Sequence, residues 1–426
     1  MMHLDSRGVG LKVILAILAI VIIAVGAVML IPKGGEGTKS VVVYHYWTAG
    51  ADRQAVGVLS QMFENWTGIK PKMNAFTGYQ DKLNLVIDTS PPDVAAHWFN
   101  YFYMTYARRG SLADLTQFWQ ANGLDSVFPE KVIRLIEVDG KKYGVPLDIH
   151  WEGGVVIYNL RVLRDKGLNV PSTWEEFENL VEALRAAGME HPIAMGFKDA
   201  WPRDMVFTAL LASVGGADFY QGLAKGENSW TDAPVQQAFE IYRQWCEKGY
   251  FDPSAPGLDW QEALSTFING ETAIYFMGDW ACAALKQIGW GPGVDFVADF
   301  IPFREGVRPI GIPDIEGFVL PSKARNVDEA KEFLKFIADE NVQTSFAAVK
   351  GSFSPHLAAR VEEYADNVQI AMWRKAENWD WALPLMWYFP QTVRNVFGDK
   401  MYEIWSNPQG ADIPAICEAI QRAAGR

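Results

Sequence analysis

The sequence predicts an α/β protein, a body of two lobes preceded by one membrane-spanning helix. Three observations carry this expectation. Val13 to Ile31 form an unbroken run of uncharged, apolar residues. As a helix the run is about 28 Å long, close to the thickness of a bilayer's hydrocarbon core. Beyond it, short β-rich runs alternate with helix-periodic ones, the pattern of layered α/β architecture. The length of 426 residues, less the leader, suits two lobes of ordinary domain size.

Arg7 and Lys12 precede the apolar run, so residues 1–12 are expected in the cytoplasm and the body outside. The run 13–31 is longer than a secretory signal core and lacks an Ala-x-Ala-like cleavage site before Ser40. No cysteine lies near Ile31, which removes a lipoprotein anchor. Retention as a membrane anchor is the expectation, cleavage and release the alternative. Residues 32–39 are a Gly-rich linker.

The folded body begins with a strand at Val41–Trp47 and a helix whose apolar face is Ala55, Leu59, Met62, Phe63 and Trp66. A second unit starts with a strand at Val155–Asn159. Its helix opens at Pro171-Ser-Thr and carries Phe177, Leu180, Val181 and Leu184 on one face. The third unit is a Thr272–Met277 strand, a Gly278-Asp279 turn and a helix over Trp280–Ile288. The fourth is a Glu316–Pro321 strand and a helix with Ala330, Phe333, Leu334 and Ile337 on one side.

Composition narrows the function. A hydrophobic fraction of 49% with 21% charged residues describes a packed globular protein. The net charge of −13 disfavours nucleic acid and anionic lipid as partners, since both would repel it. Cys246, Cys282 and Cys417 are far apart and show no metal-ligand spacing, so they read as small buried hydrophobes. His45, His97 and His150 are likewise too scattered for a metal site, and no cofactor motif is present.

Two stretches carry a family resemblance. One is Asp139-Gly-Lys-Lys-Tyr-Gly-Val-Pro146, continuing to Tyr158-Asn159 and Pro171-Ser-Thr-Trp-Glu-Glu-Phe177. The other is Phe267-Ile-Asn-Gly-Glu-Thr-Ala273, continuing to Gly278-Asp-Trp280. Asp93 after Pro-Pro, Gly317-Phe-Val-Leu-Pro321 and Lys350-Gly-Ser-Phe-Ser-Pro355 support them in the same order. Together they resemble the extracytoplasmic solute-binding proteins of ABC sugar importers, the large class that includes maltose- and glucose-binding proteins. Trp47-Thr-Ala-Gly, His97 and Ile149-His150 bring the chain nearest to the glucose and monosaccharide binders.

The resemblance implies a type II periplasmic-binding-protein-like fold, two doubly wound lobes joined by a three-segment hinge. It places lobe I at 40–150 and 309–383, and lobe II at 151–308 and 384–426, with crossings near 147–153, 307–312 and 381–385. It further implies a non-catalytic receptor, monomeric and without cofactor. A sugar would bind in the interlobe cleft and be delivered to ABC permease subunits and their ATPase.

A sugar site needs aromatic plates for C–H faces and side chains that pair with hydroxyls. By resemblance Tyr46 and Trp47 wall one side of the cleft, while Trp260 and Trp280 stack from the other lobe. His97, His150, Glu316 and Lys350 would bond the hydroxyls. The pattern departs from the monosaccharide binders at Glu316 and Ala95, so it implies a saccharide without fixing which one. Trp98 and Trp151 read as packing under their loops, and Asp279 as a helix cap.

The rivals are a short-oligosaccharide binder, a lectin and a glycoside hydrolase. The hydrolase needs two facing carboxylates, for which Glu152, Asp279 and Glu316 are the candidates. The tract Trp373–Trp387 reads as hinge packing and cleft floor, with a permease-facing surface as the alternative.

Overall fold

The computed structural model describes residues 39–48 and 50–425. The apolar run 13–31 lies outside the described residues, and the anchor expectation with it. Among the described residues no helix is long and apolar enough to cross a membrane. Residues Ser40–Arg426 form one compact unit.

Ten strands build two sheets. They are β1 (Ser40–His45), β2 (Lys70–Ala75), β3 (Val94–Trp98), β4 (Gly144–Gly153), β5 (Val155–Asn159), β6 (Ile193–Ala194), β7 (Ile274–Phe276), β8 (Phe296–Phe300), β9 (Ile310–Val319) and β10 (Asp380–Trp381). The first sheet runs β10-β9-β3-β1-β2, with β4 also on β9. β1 pairs parallel with β2 and β3, whereas β9 runs antiparallel to both β3 and β4. The second sheet is β6-β7-β5-β8.

Helices cover both sheets, as the alternating sequence pattern requires. Gly50–Thr67, Val327–Ile337 and Glu340–Lys350 pack on the first sheet through Leu59, Phe63, Phe333, Ile337 and Phe346. Trp66, expected on the buried face of its helix, is instead 58% exposed, meeting only the edge of Phe336. Trp174–Ala186 begins with a capping box in which Thr173 and Glu176 satisfy each other's backbone N–H groups. It joins Trp201–Lys225, Ala233–Glu247, Gln391–Ser406 and Ile413–Ala424 around a second core centred on Phe207, Phe239 and Phe397.

The strands that matter most for function are β4 and β9. Each spans ten residues, where the sequence marked only Glu316–Pro321 as a strand. Their ladder sets Asp148 opposite Glu316 and His150 opposite Asp314, with register shifts at Pro146/Asp148 and Trp151/Gly153. Because side chains alternate along a strand, Asp148 and His150 share one face of β4. Gly317 makes the close approach possible, since a Cβ there would lie 2.2 Å from the Val145 carbonyl oxygen.

The chain passes between the sheets three times. β4 leads directly into β5, β8 returns to β9, and β10 leads through 382–390 to the last two long helices. Aromatic rings knit these passages. Trp151 of β4 lies edge-on to Trp381 of β10 at 5.1 Å and to Phe300 of β8 at 5.5 Å. Trp373 stacks on Phe353, and Trp379 packs on Phe300 and Phe303. The tract Trp373–Trp381 thus packs the crossings.

Candidate ligand-binding site

Polar groups gather where β4 and β9 run side by side. Lys350, at the end of its helix, donates to Asp148 Oδ2 at 2.8 Å and to Glu316 Oε2. Tyr46 donates its hydroxyl to Glu316 Oε1 at 2.9 Å, and the Trp47 indole N–H approaches Oε2 at 3.4 Å. All these groups except Tyr46, which is half-buried, are buried.

Burial alone would neutralise the carboxylates and the ammonium, and their mutual attraction opposes it. Burial raises the Asp148 pKa to about 6 against the pull of Lys350. Glu316 is equally buried yet held below its usual value by Lys350, His150 and the Tyr46 donor. The difference is one of donors, because Asp148 Oδ1 has no hydrogen-bond partner. Lys350 loses to burial and gains more from Asp148 and Glu316, ending above its ordinary range.

Asp148, His150 and Glu316 present ligand atoms within 4.8 Å of one another, a spacing that would suit a metal ion. The Lys350 ammonium already bonds two of the three, so the chain supplies its own cation there.

The second sheet contributes the opposite wall. After β7, Asp279 bonds His150 Nδ1 at 2.6 Å and accepts the Trp151 backbone N–H at 3.1 Å. It makes no side-chain cap for the helix Trp280–Gln287, so the capping expectation is corrected. The carboxylate is drawn away by the imidazole. Burial and Lys350 lower the His150 pKa, but Asp279 and Asp148 outweigh them and raise it. Trp280, half-buried, lies edge-on to His150 at 5.7 Å and beside Trp201 at 6.2 Å. Its ring folds back over Gly278, where a Cβ would lie 2.0 Å from it.

The expected residues divide. Tyr46, Trp47, His150, Trp280, Glu316 and Lys350 are brought to this region. Trp47 is nearly sealed at 1% exposure, edge-on to Phe318 and Phe346, and reaches the site through its indole N–H. His97 projects from the other face of β3, against Tyr103 and Tyr106, with Nδ1 on the Trp98 carbonyl. Burial lowers its pKa to about 4. Its neighbour Trp98, read from sequence as packing, stacks flat on Tyr46 at 3.6 Å and stays half-buried. Trp260 is half-buried and makes no ring contact with Trp47 or Trp280 among the described residues.

Beside Trp201 lies a small cavity of about 20 Å³ lined also by Glu152, Asp204, Trp387 and Arg394. Burial pushes Glu152 up to about 8 and Asp204 up to about 7. The sequence points to Glu152 only as a carboxylate of the rival hydrolase, and it singles out none of Asp148, Asp204, Asp314 and Arg394.

Residues 47–344 match the family described as bacterial extracellular solute-binding protein. The chain belongs to that family. This solute-binding protein is 30% identical over 343 residues to an uncharacterized ABC transporter extracellular-binding protein of Pyrococcus horikoshii, covering 78% of this chain and 75% of that one. A "probable sugar-binding periplasmic protein" of Rhizobium meliloti is 26% identical over 335 residues, 77% of this chain and 79% of its own.

Among solved structures the solute receptor AcbH superposes with a TM-score of 0.80 at 22% identity, over 91% of this chain and 99% of its own. A chitin oligosaccharide binding protein gives 0.79 at 23% identity over the same shares. These two likenesses carry the fold, α/β and periplasmic-binding-protein-like. As a family member the protein is an extracytoplasmic solute-binding receptor, not an enzyme.

Proposed function

We propose that this receptor binds a sugar, a glucose-like monosaccharide, between its two sheets and delivers it to the membrane subunits of an ABC importer. The observation that carries this reading is a set of buried polar atoms bordered by aromatic faces. Asp148 Oδ1, His150 Nε2 and Asp314 Oδ1 make no hydrogen bond among the described residues, His150 Nε2 standing 3.8 Å from Asp148 Oδ2. The half-buried rings of Tyr46, Trp98, Trp201 and Trp280 belong to the same region. A buried acceptor without a partner costs about 1–3 kcal/mol. A pyranose offers hydroxyls that donate and accept, and C–H faces that lie on aromatic rings.

The names of relatives agree with a sugar, among them a multiple sugar-binding protein of Streptococcus mutans. We take the three crossings as a hinge between lobe I at 40–150 and 309–383 and lobe II at 151–308 and 384–426. Segment 13–31 tethers the monomeric receptor to the membrane, and the ATPase belongs to the importer.

Mechanistically the sugar acts by population shift. It touches both lobes only when they are closed, so it favours the closed form by the difference in affinity. His150, from the first sheet, and Asp279, from the second, are held together in that form. A thermal-shift series with D-glucose, D-galactose, maltose and maltotriose tests the reading. A hexose should raise the melting temperature with concentration, as any ligand of the native state does. No shift with any saccharide contradicts it.

A further inference from the structure

Asn65-Trp66-Thr67 is the only Asn-x-Ser/Thr triplet in the sequence. With a residue other than proline in the middle, this pattern is the acceptor for N-linked glycans on chains that leave the cytoplasm. So short a pattern recurs by chance, and its place in the fold decides what it can do.

The triplet ends the helix Gly50–Thr67 on the outer surface. Asn65 and Trp66 are exposed, and so are Gln61, Glu64 and Gly68 around them. A Cβ added to Gly68 would meet nothing within 4 Å. The space is open. Asn65 Oδ1 accepts a hydrogen bond from Gln61 Nε2 at 2.9 Å, while its Nδ2 makes none among the described residues. A sugar on Nδ2 therefore displaces no contact of the fold. Tryptophan is highly buried on average, yet Trp66 is 58% exposed and meets the edge of Phe336. Its ring leaves a face on which sugar C–H groups can lie.

The triplet is also far from the ligand site. The same helix starts at Gly50, where a Cβ would come within 3.5 Å of Gln287 across the cleft mouth. Asn65 lies about 22 Å further along, at 1.5 Å per residue. A glycan there leaves the cleft clear.

We infer that Asn65 carries an N-linked glycan. This rests on the extracytoplasmic place of the family and not on the choice of solute. The co-reactant is a lipid-linked sugar phosphate. The Asn65 amide nitrogen bonds to C1 of the first sugar and the C1–O bond to phosphate breaks. The phosphate leaves with that electron pair, and one amide proton passes to solvent. Thr67 fixes the timing. In the folded chain its hydroxyl donates to the Phe63 carbonyl at 2.7 Å and accepts the Ile69 N–H at 3.0 Å. An enzyme that reads this hydroxyl must meet it before the last turn of the helix closes, while the chain emerges from the membrane.

Peptide mass spectrometry on the protein purified from its own cells tests this. Trypsin cuts after Arg53 and spares Lys70 before Pro71, so Asn65 lies in the fragment 54–72. That fragment should carry a mass increase equal to a sum of sugar residues, placed on Asn65. Asn65→Gln and Thr67→Val should abolish it, and Thr67→Ser should retain it. Asn65→Gln should keep the affinity for the best-bound sugar within twofold, and a larger loss would contradict the placement away from the cleft. An unmodified fragment from those cells, or an adduct that survives Asn65→Gln, overturns the inference and leaves the sugar receptor intact. Binding of no saccharide would strike that reading and leave this one standing.

Discussion

His150 and Asp279 meet at 2.6 Å, joining a strand of the first sheet to the turn after a strand of the second. The pair is buried and also fixes the Trp151 backbone, so it ties the end of β4 to the second sheet. Its strength depends on the imidazole being charged. With the folded pKa raised above 6.5, its contribution is full below the unfolded value and fades as pH rises through the folded one. A proton NMR titration should show His150 titrating above 6.5 in the wild type. In Asp279→Asn only Asp148 is left to oppose burial and Lys350, so the value should fall from that of the wild type. The same substitution should flatten the loss of stability between pH 6 and 8.

Lys350 is the one ammonium shared by Asp148 and Glu316. Removing it leaves two buried carboxylates to repel each other. Lys350→Met should cost about 3–5 kcal/mol, read from urea unfolding at pH 7. The loss should shrink at pH 4, where protonation relieves the uncompensated charge. A cost below 1 kcal/mol at pH 7 would mean that water reaches the cluster.

Gly278 sets the angle of Trp280. An added methyl would stand 2.0 Å from the ring, and the ring, being the end of a movable side chain, should swing aside. Gly278→Ala should weaken sugar binding by about tenfold, or about 1.4 kcal/mol, with little change in melting temperature. Comparable losses of both would place the residue in the scaffold instead.

The framework of this receptor was legible because its signals are local. Apolar spacing marked the helix Gly50–Thr67, and Thr173 with Glu176 marked the start of Trp174–Ala186. The reach of β4 and β9 was not legible, since Pro146, Pro313 and the polar residues between them break the usual strand pattern. Their pairing with each other decides it. Loop position singled out Tyr46, His150 and Trp280, which the fold brings to one region. It could not tell the two faces of β3 apart, so His97 was taken for a ligand partner and Trp98 for packing. One residue's shift along a strand reverses the face. Asp148, Asp204 and Arg394 come from separate elements, and only the fold brings them near the cleft. The alternation of Asp148, His150 and Glu152 along one strand was the one available signal.

The central claim is that a sugar is gripped by aromatic rings from both sides of the cleft, and Trp280 is where it is most exposed to test. Calorimetry with the best-bound sugar, on the wild type and on Trp280→Ala, measures this directly. The account predicts a loss on the order of 2 kcal/mol or more, the usual effect of truncating a central aromatic anchor. Unchanged affinity in a folded Trp280→Ala protein would contradict it.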